Sequence, residues 1–342
     1  MERILIDSRV LSYALQYERD FRRYGYDVPD ALRSLKNDLA ALNIYNGLAS
    51  EELTQYQGYL EEIASDYDTA NLLVLMPDEF PNYRDKYESS FPLVAMNKDL
   101  VYKVQVGGKH PGPKKKKFWE LIVDIMHYEN DVRPLLIPII EDLGIKACVY
   151  CNVQYALTVN HSKGMFELDH RYPKSKYPFL CTSFFNLQPS CPSCNHGKKT
   201  ATAYFGLYTN DATQLKPFHL LTNPQIYFKN REHDPTQITV HLIASDVNDR
   251  NQVVLAYHHE KDFNIDDTYR EVIDVAEETM WRCRAYDNTY KELFLNHFPE
   301  LYDKESLHRF IFGTYAEGSV HKRPLTKLIR DIEEDMKVVV TP

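Results

Sequence analysis

Through the first hundred or so residues, apolar positions recur at helical spacing. Val10, Ala14, Tyr17 and Phe21 form one stripe, and Leu32, Leu35, Leu39 and Leu42 form another behind Asp30, a residue able to cap. Ser50-Glu51-Glu52 opens a third predicted helix that runs towards Tyr67. Such stripes predict a packed helical region. Gly and Pro between Gly107 and Pro113 then predict a loop or linker, with the lysines Lys114 to Lys117 following it. Phe118-Trp119 leads into a helix carrying Leu121, Ile122, Ile125 and Met126, and a further helix runs from Arg133 to Leu143 and stops at Gly144.

The pattern changes at Ile145. Cys148-Val-Tyr-Cys151 is a tight turn, Gln154 to Val159 has strand composition, and Met165 to His170 is expected to pair back after a turn at Asn160–Gly164. A loop through Pro173 and Pro178 precedes Cys191-Pro-Ser-Cys194, which is expected to enter a short helix. Beyond Thr200, Ile238–Leu242 and Val253–Tyr257 suggest a hairpin joined through Asp246 to Asn251. Tyr269, Val272, Ile273, Ala276, Met280 and Cys283 suggest one helical face, and Leu325, Leu328, Ile329 and Ile332 a last helix. The expected class is α+β: a helical region over 1–144, a core over 145–205 and a mixed region over 206–342.

Composition sets bounds on these elements. With 342 residues, 44% hydrophobic and 26% charged, the chain is expected to fold around a sizeable core. Its apolar run Pro134–Ile140 is far shorter than the roughly 20 residues of a membrane span. The first residues lack the pattern of a secretion signal. A cytoplasmic protein without a membrane partner is expected. The formal net charge is -9, yet Ile145–Phe205 holds seven Lys and Arg against two acids. Residues 1–100 hold 18 acids against 10 bases. A basic segment inside an acidic chain suits local contact with phosphate.

Four of the six cysteines form two Cys-x-x-Cys pairs, Cys148/Cys151 and Cys191/Cys194. Two such turns supply the four soft ligands of a structural zinc ion. A redox dithiol is the alternative, and no thioredoxin-like context accompanies the pairs. Between them stands Asp169-His170 at the end of a predicted strand. An oxygen ligand beside a neutral imidazole can divide the work of holding a hard cation and accepting a proton from water. Neighbouring strand residues face opposite ways, so both side chains serve one phosphate only where the strand ends and the chain turns. Cys283 falls on an apolar stripe and is expected in the core. His161 and His258-His259 are expected at the surface.

Taken in order, Cys148-x-x-Cys151, Leu168-Asp169-His170-Arg171-Tyr172-Pro173-Lys174-Ser175, Phe185-Asn186-Leu187-Gln188-Pro189 and Cys191-x-x-Cys194-Asn195-His196-Gly197-Lys198-Lys199 resemble the HNH, or ββα-metal, endonucleases. The resemblance covers about 60 residues. It implies that His170 is the general base, that Asp169 holds a catalytic magnesium or manganese ion, and that Asn186 braces the loop. The last metal ligand falls on Asn195, where many relatives have His; here a His stands one place later, at His196. Arg171, Lys174, Lys198 and Lys199 would hold flanking phosphates.

A weaker likeness, including Phe263-Asn264-Ile265 at a helix start, points to the HNH effectors of bacterial anti-phage systems. Septu and retron-associated subunits, which work beside an ATPase, are examples. The expected function is DNA phosphodiester hydrolysis in defence. RNA such as tRNA is the alternative substrate, and a non-catalytic zinc knuckle binding nucleic acid or protein the alternative class.

Overall fold

The computed structural model describes residues 1–105, 112–160, 163–230, 232–315 and 320–340. The architecture is mixed α+β, dominated by helices, with its strands paired in two-stranded sheets. The first apolar stripe becomes the helix Ser8–Arg22, which buries Val10, Ala14, Tyr17 and Phe21 and starts where Asp7 accepts the Val10 amide. The second becomes Val28–Ala41. Its cap is Asp27 and not Asp30, because Pro29 fits the first turn and draws Asp30 inside it; Leu42 falls past the end. The third is Ser50–Thr69.

The expected loop before Phe118 is corrected in part. Gly107 to Pro111 lies outside the described residues, but Lys114–Lys117 belong to the strand Gly112–Lys117, antiparallel to Asp99–Gln105. Pairing with a partner strand overrides the poor strand preference of lysine. This ribbon passes directly into the helix Phe118–Ile125, which buries Phe118, Leu121 and Ile122. The helix Arg133–Asp142 follows, and Gly144 takes the left-handed turn after it at φ 71°.

In the central segment Leu157–Asn160 pairs with Lys163–Met165, but the expected pairing does not continue to His170. The chain bends at the buried Phe166, where Arg133 donates to the carbonyls of Gly164 and Phe166, both at 2.7 Å. Glu167–His170 pairs instead with Leu187–Ser190, setting Asp169 opposite Gln188 and His170 opposite Leu187. The short helix Pro192–Lys198 follows Cys191 directly.

The C-terminal hairpin is corrected. Val240–Ala244 pairs with Phe218–Thr222, while Val253–Tyr257 lies inside the helix Arg250–Phe263. Asp249 accepts the amides of Asn251 and Gln252, so the polar stretch before Val253 is a helix start. Leu255, His259 and Phe263, four residues apart, then share a buried face. Tyr269 sits in a separate helix, Ile265–Arg270, whereas Ala276 and Met280 are buried on Ile273–Ala285. Cys283 is half-buried and packs against the core. The last helix, Thr326–Val340, buries Leu328, Ile329 and Ile332.

A continuous apolar core extends from Met1 to Met336 across all these segments. The Cys148–Cys151 turn is its hub. Turn carbonyls need donors, and the C-terminal helices supply them: His259 Nε2 lies 2.7 Å from the Tyr150 carbonyl, and the Tyr269 hydroxyl donates to Cys151 at 2.7 Å. Asn152 receives the amide of Lys327 on its side chain and that of Leu325 on its carbonyl. Among the described residues no helix is long and apolar enough to cross a membrane.

Candidate functional site

The four cysteines converge. Cys148, Cys151, Cys191 and Cys194 are all buried and unbridged, and their sulfurs lie within 4.8 Å of one another. A tetrahedral zinc with sulfurs at about 2.3 Å needs sulfur–sulfur distances near 3.8 Å, so number, chemistry and spacing are consistent with structural zinc. The Val153 amide donates to Cys151 Sγ at 3.4 Å, which favours the thiolate form a metal requires. One pair lies on the turn that anchors the C-terminal helices, the other on the start of the short helix.

Beside this cluster lies a cavity of about 280 Å³ whose lining includes Asp169, His170, Asn195, Lys174 and Lys199. Both members of the Asp169-His170 pair reach it because the strand ends at His170. His170 is 6% exposed, and its Nε2 lies 3.0 Å from the Cys181 carbonyl. A carbonyl only accepts, so Nε2 carries the proton and Nδ1 keeps the lone pair. Burial, with Lys174 nearby, pushes the His170 pKa down to about 3, which keeps the ring neutral.

Asn186 is fully buried and ties the adjoining loop together. Its Oδ1 accepts the Tyr172 amide at 2.8 Å, and its Nδ2 donates to the carbonyls of Tyr172 (3.1 Å) and Leu180 (3.0 Å). Leu180 precedes Cys181, whose carbonyl orients His170. Asn195 also lines the cavity, with Nδ2 donating to Glu167 at 2.5 Å. His196 does not line it; 72% of its side chain is exposed, and its Nε2 lies 3.3 Å from Glu167.

The four cations expected to meet phosphate fare differently. Lys198 is interior, donating to the carbonyls of His170 (2.8 Å) and Ala201 (3.0 Å) and lying 3.2 Å from Asp169. Helix geometry turns it inward, three residues after Asn195. Arg171 is spent on the carbonyls of Ala203 and Tyr204, and Lys174 pairs with Glu129 at 2.5 Å. Lys199 is exposed on the cavity rim. His259, expected at the surface, is 1% exposed because the helix Arg250–Phe263 turns it onto Tyr150, while His258 is half-buried and stacks on Tyr204 at 3.7 Å. His161 lies outside the described residues.

Several residues of the site were not anticipated. The Tyr150 hydroxyl donates to Asp169 at 2.6 Å and itself accepts from Gln188 at 2.9 Å. Trp119 and Tyr128 wall the cavity from the helical segment; the Tyr128 ring lies 4.6 Å from that of His170. Tyr150 stands inside the first Cys-x-x-Cys, the one sequence signal available for it. Trp119 and Tyr128 offered none, since their distance along the chain hides their closeness. Comparison with family models, curated proteins and solved structures finds no match to this chain.

Proposed function

We propose that this chain is a metal-dependent endonuclease of the HNH type that hydrolyses phosphodiester bonds of DNA. The observation that carries this reading is the setting of His170. It ends a strand on the wall of a cavity shared with Asp169 and Asn195, its Nε2 is committed to a carbonyl, and its neutral Nδ1 is left to take a proton from water. Asn186, by fixing the loop up to Leu180, holds the carbonyl that orients the ring. Asp169 and Asn195 offer a carboxylate and an amide oxygen, hard donors suited to magnesium or manganese. When bound, such an ion polarises the scissile phosphate and offsets charge on the leaving oxygen. The cysteine cluster supplies the rigid frame, with zinc in a structural role.

The likeness to anti-phage HNH effectors supports a defence role beside an ATPase partner, which co-purification would check. RNA remains the alternative substrate. A second reading, a non-catalytic zinc module, is favoured by one observation: both Asp169 oxygens already have internal partners, Tyr150 and Lys198. The test is incubation of the purified protein with plasmid and with total RNA, plus magnesium or manganese, beside His170→Ala. Plasmid cutting that His170→Ala abolishes is the expected result. Equal inertness of both proteins on both substrates would favour the binding module.

A further inference from the structure

An arginine keeps its charge at every ordinary pH and carries a fork of N–H donors, so a guanidinium drawn into the protein needs acceptors. Arg3 has none. It stands just before the strand Ile4–Leu5, which runs parallel to Tyr208–Thr209, and its backbone amide is fixed to the Leu215 carbonyl at 2.7 Å. Its side chain is half-buried, and its Nε is sealed from solvent without a hydrogen-bond partner. No carboxylate pairs with it among the described residues; the Phe205 ring lies 5.8 Å from the guanidinium carbon. Burial and the neighbouring charge of Arg171 push the Arg3 pKa down to about 10, with Asp211 opposing.

Arg3 and Arg171 line one cavity of about 150 Å³, together with Asp78, Gly206 and Asn210. Arg171 donates from Nε and Nη2 to the carbonyls of Ala203 and Tyr204 at 3.4 and 3.3 Å, long for a charged donor, and its Nη1 has no acceptor among the described residues. The guanidinium lies against Gly206, where a Cβ would stand 2.8 Å from Nη1. Two like charges gain nothing by sharing a cavity unless an anion sits between them. Asp78 accepts from the Asn210 amide at 3.0 Å through one oxygen and keeps the other free. This cavity shares no lining residue with the one at His170.

Its size falls well below the roughly 300 Å³ at which pockets for drug-sized ligands begin, so it suits a small anion or the charged end of a larger molecule. Paired guanidinium groups match the oxygens of a tetrahedral oxyanion. An ionised Asp78 only accepts, so it favours an anion that still carries a proton. Near neutral pH inorganic phosphate keeps a P–OH group and a phosphate monoester keeps one in part, whereas sulfate and the phosphodiesters of nucleic acid keep none. We infer that this cavity binds a terminal phosphate group, held by Arg3 and Arg171 and selected by Asp78, at a site separate from the His170 cavity. The inference does not depend on the nuclease reading.

The test is calorimetric titration of the full-length protein with inorganic phosphate, glycerol phosphate, dimethyl phosphate and sulfate. Neutral pH and fixed ionic strength in chloride are kept throughout, without magnesium or manganese. Inorganic phosphate or the monoester is expected to bind at least about tenfold more tightly than sulfate or the diester, and whichever of the two binds tighter identifies the source. Arg3→Gln is expected to weaken phosphate binding about tenfold, through loss of charge-assisted hydrogen bonds. Gly206→Ala keeps both charges yet displaces the Arg171 guanidinium, and should weaken binding as well. Asp78→Asn should bring sulfate and phosphate to similar affinity. Without phosphate, Arg3→Gln should melt no earlier than wild type, since Arg3 has no side-chain hydrogen bond to lose. A wild type that binds no phosphate, or binds sulfate or the diester as tightly, would overturn the inference. So would an Arg3→Gln protein that binds phosphate as the wild type does. None of these outcomes bears on the nuclease reading, whose residues line the other cavity.

Discussion

The ammonium of Lys198, with 1% of its side chain exposed, lies 3.2 Å from a carboxylate oxygen of Asp169, which is 5% exposed. Burial raises the Asp169 pKa and lowers that of Lys198, while their attraction opposes both shifts. The two form an interior ion pair at the foot of the cavity. Lys198→Met leaves an uncompensated buried carboxylate and is expected to cost about 3–5 kcal/mol in urea unfolding. Adding Asp169→Asn should recover part of the loss, since the two sites share one interaction. An unchanged midpoint in Lys198→Met would mean that the lysine is a surface cation after all.

Cys191→Ser removes one of the four clustered sulfurs, at the position that opens the short helix. Metal binding energy is also folding energy in such a site. The variant is expected to purify with less than one zinc per chain by elemental analysis and to melt earlier than wild type. Because the Cys148–Cys151 turn anchors His259, Tyr269 and Lys327, the loss should spread to the C-terminal helices. A variant keeping its full zinc content and its melting curve would show that the sulfurs are not ligands.

Asn186→Ala removes three hydrogen bonds at once and strands the Tyr172 amide and carbonyl, while the Leu180 carbonyl keeps the Ser183 amide. At about 1 kcal/mol per bond, and more where a buried group is left bare, a loss of roughly 3 kcal/mol is expected in urea unfolding. If the nuclease reading holds, kcat should fall more than KM rises, because the loop orients His170 and does not touch substrate. Comparing the two constants for plasmid cutting checks this.

Spacing revealed what local chemistry repeats. The stripes of Val10–Phe21 and Leu32–Leu39 and the doubled Cys-x-x-Cys were legible because a helix period or a ligand geometry demands them. Val253–Tyr257 misled because strand composition outweighed the four-residue spacing of Leu255, His259 and Phe263. Lys114–Lys117 hid their strand because its partner, not its own residues, holds it in place. The resemblance sets Lys198 at a flanking phosphate, whereas the tertiary fold supplies the two carbonyls and the carboxylate that keep it inside. Trp119 and Tyr128 belong to the site through packing across segments, which no local pattern records.

Acid should destabilise this protein through three buried histidines. Burial pushes the pKa of His170 and His259 down to about 3 and that of His321 to about 4, so all three are neutral when folded. An unfolded chain takes up these protons near the ordinary histidine value of about 6.5, whereas the folded chain resists until much lower pH. The stability they contribute is therefore complete above that value and is lost as pH falls towards 4 and then 3. At about 1.4 kcal/mol per unit for each group, the three together amount to roughly 6 kcal/mol by about pH 5. His219 acts the other way: burial lowers it, but Asp335 and Asp331 raise it overall, so it gains stability as it protonates. Urea unfolding from about pH 7 to about pH 5 in excess zinc should show a steep net fall. His259→Gln should flatten that slope by about one proton, since His259 is buried against the Tyr150 carbonyl and aromatic rings, with the Met1 amino group also opposing its charge. A slope unchanged in this variant would mean that His259 is charged, or open to water, in the folded state.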